Sequence, residues 1–103
     1  MRPLTGVLNV LQEECAEVIQ AISKVQRFGM YDTYQGASNL ERLAEEIGHV
    51  KCMIMELQAL VPDLTDELII KAIREKAMKL DYWLPHEGEV GYIPVGGKDE
   101  PRD

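Results

Sequence analysis

A chain of 103 residues with 46% apolar and 6% aromatic content is long enough for one domain, but a core built mainly from Leu, Ile, Val, Ala and Met is thin, so homo-oligomerisation is expected. The formal net charge of −7 argues against a surface that neutralises the phosphates of a nucleic-acid polymer, and it means that an anionic substrate would need a divalent ion to supply positive charge. No apolar run approaches a membrane span, and Met1 to Thr5 lacks the basic-then-apolar layout of a signal peptide, so a cytoplasmic location is expected.

From Thr5 to Phe28, Leu8, Leu11, Cys15, Val18, Ile22 and Val25 recur at the spacing of an amphipathic helix, which Gly29 closes. Met30 to Ala37 carries Gly, Asp, Tyr and Thr without periodicity and reads as a loop. Ser38 and Glu41 form a capping-box pattern ahead of Leu40, Leu43, Ile47, Val50, Ile54, Leu57 and Val61, which predicts a second helix from about Asn39 to Leu60, stopped by Pro62. Thr65 suits an N-cap, with Asp66 and Glu67 in the first turn where negative charge favours the helix dipole. This third helix should reach Tyr82 or Trp83, ahead of Pro85.

The expected fold is all-α: a helical hairpin with a third helix packed on it, one domain over residues 1–84, whose four-helix core two copies would complete. Residues 85–103 contain four Gly and three Pro and read as an irregular tail. Cys15 and Cys52 fall within helical patterns and show no CxxC spacing, so both are expected to be reduced, packed thiols.

Set out at about 100° per residue, the first helix carries Glu14 on the margin of its apolar arc, Glu17 about 60° further out and Glu13 on the far side. The second helix places Glu46 on the arc margin and His49 about 60° beyond it, with Glu45 pointing to solvent. Residues three apart on a helix can reach one ion, and if the two margins are adjacent three carboxylates and an imidazole converge. Acidic pairs at this spacing are common on solvated faces, and a lone histidine is usually an ordinary surface residue; two matching pairs on consecutive helices weaken that plain explanation.

The residues EECAEVIQ at 13–20 and EEIGHV at 45–50 resemble the MazG-like all-α nucleotide pyrophosphohydrolases, whose pattern is EExxE on one helix and ExxD on the next. Glu13, Glu14 and Glu17 fill the first motif, Glu46 begins the second, and Gly48 stands where the family often has glycine. The resemblance extends over roughly residues 8–57. It implies that Glu14, Glu17 and Glu46 hold Mg²⁺ against the phosphates of a nucleoside triphosphate or related nucleotide, which is split into monophosphate and pyrophosphate. It also implies a homodimer or homotetramer, with Met53, Met55 and Leu60 available for packing between subunits.

His49 stands where the family usually has Asp, as a fourth ligand or a nearby substrate contact; imidazole suits Mn²⁺ and other transition ions better than Mg²⁺. Glu17 is the candidate proton acceptor. Lys24 and Arg27 near the end of the first helix, and Lys76 and Lys79 on the third, are candidate phosphate contacts, while Tyr82 and Trp83 could stack on a base. Two other readings compete. Glu46-x-x-His49 with a partner Glu is also the grammar of ferritin-like di-metal carboxylate bundles, and the change at position 49 also suits a non-catalytic nucleotide-binding or interaction module.

Overall fold

A computed structural model describes residues 2–84; the expected tail at 85–103 lies outside the described residues. The chain is mainly helical, in the order α1 (Leu4–Phe28), β1 (Thr33–Tyr34), β2 (Ala37–Ser38), α2 (Asn39–Leu60) and α3 (Asp66–Trp83). It divides into two compact units, Met1–Asp63 and Leu64–Asp103. No helix among the described residues is long and apolar enough to cross a membrane.

In the first unit α1 and α2 lie antiparallel: Arg2 at the start of α1 pairs with Glu56 near the end of α2 at 2.7 Å, and Asn39 at the start of α2 donates to the Gly29 carbonyl at the end of α1 at 2.9 Å. The α1 seam is Val7, Leu11, Glu14, Val18, Ala21 and Val25, of which Val7 and Ala21 are buried and the rest half-buried. The α2 seam is Asn39, Leu43, Glu46, Val50, Met53, Leu57 and Leu60, of which Asn39 is buried and the rest half-buried. Both alternate steps of four and three, the repeat that keeps one strip of a helix facing another.

This strip corrects the expected apolar arc. Leu8, Cys15 and Ile22 are exposed, and Glu14, expected at the margin, occupies the middle of the seam. An arc as wide as that of α1 exceeds what one partner helix covers, so periodicity finds the face but not the line of contact. Cys15 and Cys52 are free but exposed, not packed, because neither stands on a seam position.

The segment expected to be a loop contains a minimal hairpin, with Thr33 opposite Ser38 and Tyr34 opposite Ala37. Gln35 and Gly36 both have positive φ, 52° and 84°, the combination a two-residue turn of primed type requires. Two-residue strands are too short to show alternation, and Gln is not among the usual turn formers, which is why composition alone reads as loop.

The capping box forms: the Glu41 backbone N–H donates to Ser38 Oγ and the Ser38 N–H donates to Glu41 Oε1, both at 3.0 Å. The Ser38 backbone and hydroxyl hold the Glu41 carboxyl below the usual carboxylate range. A lowered folded-state pKa stabilises above the unfolded value, so this contribution is lost as pH falls through the lowered pKa. Ser38→Ala is expected to cost about 1 kcal/mol, and Glu41→Gln, which removes the titrating carboxyl that the Ser38 backbone N–H still holds in Ser38→Ala, to flatten the acid limb of the stability curve; an unchanged urea midpoint for Ser38→Ala at neutral pH would remove the cap from the energetics.

In the second unit, Thr65 Oγ1 accepts from the Leu68 N–H at 3.2 Å, with Asp66 and Glu67 in the first turn of α3. No residue of α3 is buried; Ile73 and Met78 are among its exposed apolar side chains.

Candidate metal centre

The antiparallel pairing brings the middle of α1 opposite the first half of α2, and there two glutamates stand in the apolar seam. Glu14 and Glu46 side chains are 23% and 20% exposed, so most of each side chain has left water, and placing carboxylates so costs free energy unless something offsets it. His49, one turn after Glu46, folds its ring back over both. Its Nδ1 lies 3.1 Å from Glu14 Oε2 and 3.6 Å from Glu46 Oε2, and its Nε2 lies 4.0 Å from Glu45 Oε1. One ligand atom from each of Glu14, Glu46 and His49 falls within 4.8 Å of the others.

Internal hydrogen bonding does not complete this cluster. Nδ1 can carry one proton, and only Glu14 is within hydrogen-bond reach of it. Glu46 Oε2 is buried and accepts no hydrogen bond, one of two buried side-chain polar atoms without a hydrogen-bond partner among the described residues. A dication bonded to both carboxylates and to an unprotonated Nδ1 would satisfy that oxygen, screen the two charges and use the ring in its Nε2–H tautomer. The donor types suit such an ion, and the two spacings to His49 Nδ1 agree with it: at metal–ligand distances of about 2.1 Å, neighbouring ligands stand about 3.0 Å apart in an octahedral site and about 3.4 Å apart in a tetrahedral one, beside the observed 3.1 and 3.6 Å, while the two carboxylates lie within 4.8 Å of each other.

The other expected site residues are placed as follows. Glu17 is exposed and stands outside the three-residue group, one turn along α1 from Glu14. Glu13 is exposed. Lys24 and Arg27 are exposed, about 15 and 20 Å further along the helix axis than Glu14, and Arg27 lies over the Phe28 ring at 5.1 Å. Lys76, Lys79 and Tyr82 are exposed on α3 in the second unit, where Tyr82 meets Trp83 edge to face at 5.1 Å. A Cβ at Gly48 would meet nothing within 4 Å, so packing does not demand glycine there.

Three residues of α2 to which the sequence reading gave no part in the site flank it along the helix or meet its ring. Asn39 ties the two helices together beside the connector. Arg42, one turn before Glu46, donates through Nη2 to the Tyr34 carbonyl and lies over the Tyr34 ring, while its Nε is the second buried atom without a partner. Glu45, expected to face solvent, is 64% exposed yet reaches toward the far side of the His49 ring. The i, i+4 spacing from Glu45 to His49 is a signal that could have found that contact. Comparison of the chain with protein-family models, curated proteins and solved structures finds no match.

Proposed function

We propose that this protein is a metal-dependent nucleotide pyrophosphohydrolase, cleaving a nucleoside triphosphate or related nucleotide to the monophosphate and pyrophosphate. The observation that carries the reading is the pair of seam carboxylates, Glu14 and Glu46, closed by His49 around an oxygen that no hydrogen bond satisfies. The EExxE and ExxH pattern on consecutive helices, with its resemblance to the MazG-like enzymes, supplies the substrate class.

Glu14, Glu46 and His49 would hold a divalent ion, Mg²⁺ or Mn²⁺. When bound, the ion neutralises phosphate oxygens and lowers the pKa of a water at the phosphorus. The chain's own residues do the remaining work. Glu14 and Glu46, fixed in the seam, would keep the ion in place, and Glu17, exposed and outside the three-residue group, is free to accept the proton of the attacking water.

The same reading includes assembly of two or four copies in the cytoplasm, completing a helical bundle. Exposed Leu8, Ile19 and Ile22 on α1 and Ile47 and Met55 on α2 are the apolar surface such packing would cover. A second reading, a di-metal carboxylate protein of ferritin-like type, is favoured by one specific feature: Glu14 with Glu46-x-x-His49 is half of such a ligand set, and a second copy would bring the other half.

The decisive measurement is pyrophosphate release from a panel of normal and modified nucleoside triphosphates, with Mg²⁺ or Mn²⁺ and with chelator. Release from at least one substrate, abolished by chelator, is expected. Silence across the panel together with iron retained through aerobic purification would favour the second reading instead.

A further inference from the structure

Resting on the metal-centre reading above, we propose that His49 is the residue that chooses the ion, turning the site from Mg²⁺ toward nitrogen-accepting first-row transition dications, with Glu45 as the positioning residue that orients its ring. Mg²⁺ favours an all-oxygen shell and sheds water reluctantly, whereas Co²⁺, Ni²⁺ and Zn²⁺ gain from an imidazole nitrogen. The position of that nitrogen suits a ligand: Nδ1, the ring atom nearer the backbone, lies 3.1 and 3.6 Å from the two seam carboxylates. A histidine serving only as a charge partner would leave Glu46 Oε2 as it stands, buried with no hydrogen bond.

The opposite edge of the ring carries the second observation. Nε2 lies 4.0 Å from Glu45 Oε1, on an exposed side chain one turn back along α2. A ligating imidazole commonly donates its remaining N–H to a carboxylate, which holds the tautomer and makes the metal-facing nitrogen more basic. The His49 ring thus lies between the Glu45 carboxylate on one edge and the seam carboxylates on the other.

The test is calorimetric binding of Co²⁺ and of Mg²⁺, each alone, to the full chain at pH 8, for wild type and for Glu46→Gln, His49→Asp, Glu45→Ala and Glu45→Gln, with the visible spectrum of Co²⁺ recorded alongside. Any site prefers Co²⁺ to Mg²⁺ to some degree, so the ratio of affinities and its change on substitution are the readout. We expect His49→Asp to narrow the Co²⁺-to-Mg²⁺ ratio by about tenfold or more and to change the Co²⁺ spectrum. Glu45→Ala should weaken Co²⁺ by about tenfold, and Glu45→Gln, whose amide oxygen still accepts the Nε2–H, should restore most of it. A ratio unchanged in His49→Asp, with Glu46→Gln still abolishing binding, overturns the ion-choice proposal and leaves the metal centre standing. Absence of binding of either ion to wild type, or binding indifferent to Glu46→Gln, overturns both.

Discussion

Glu46→Gln is expected to make the chain more stable without metal and unresponsive with it. Without an ion, two carboxylates share a seam with ligand atoms inside 4.8 Å, and replacing one by a neutral amide removes their repulsion, about 1 kcal/mol at the dielectric of water and about 3.5 kcal/mol at an effective dielectric of about 20. With an ion at about a thousand times its dissociation constant, wild type gains about 4.1 kcal/mol by mass action, which the variant forgoes. The two urea curves should therefore exchange order between chelator and saturating metal at pH 8. A variant less stable than wild type in chelator would mean that Glu46 serves the seam as a structural group, and pyrophosphate release lost in it would then be uninformative. Where the order does exchange, turnover should fall at least about 100-fold, since even partners outside the ligand set are commonly worth 10- to 100-fold.

Asn39→Ala should cost about 2–3 kcal/mol, the largest effect expected from any change in the connector. Asn39 is 6% exposed, and its Nδ2 donates to the Gly29 carbonyl, which follows the last turn of α1. Around that bond the Asn39 N–H donates to the Asp32 carbonyl at 3.0 Å and the Leu40 N–H to the Met30 carbonyl at 2.8 Å, so the first turn of α2 donates along the connector. Truncation removes the side-chain donor, leaves the Gly29 oxygen short of a partner and opens a small void. Asn39→Asp keeps the shape but replaces the donor by a charged acceptor facing a carbonyl, and should cost at least as much although acids favour a helix start. A lower urea midpoint at unchanged slope checks both; Asn39→Asp matching wild type would show that the Gly29 contact contributes nothing.

Helix ends were legible because their chemistry is local. Ser38 with Glu41, Thr65, Gly29 and Pro62 each act within a few residues, and the observed limits of α2 coincide with those predicted. The Glu14, Glu46 and His49 grouping was legible as a possibility because helical spacing puts these residues near an apolar face. What periodicity could not supply was the line along which α1 and α2 touch, which depends on the partner helix, so Glu14 emerged in the seam and not at its edge. Asn39 was illegible for a related reason: its partner is a backbone carbonyl ten residues back, and no residue type marks a carbonyl. The hairpin was missed since its signal rests on two backbone angles at Gln35 and Gly36 rather than on alternation.

The seam's alternation of four and three also sets rules for how this helix pair can change length. One residue inserted in α1 between Glu14 and the connector turns everything before it by about 100°, carrying Glu14 out of the strip and away from Glu46. Seven residues added to α1 before Glu14, matched by seven added to α2 after His49, lengthen both arms by about two turns and leave the ligands opposed. Variation in a lineage of such hairpins should therefore accumulate at the open ends in paired blocks, while the stretch from Glu14 through the connector to His49 tolerates substitutions but not changes of length.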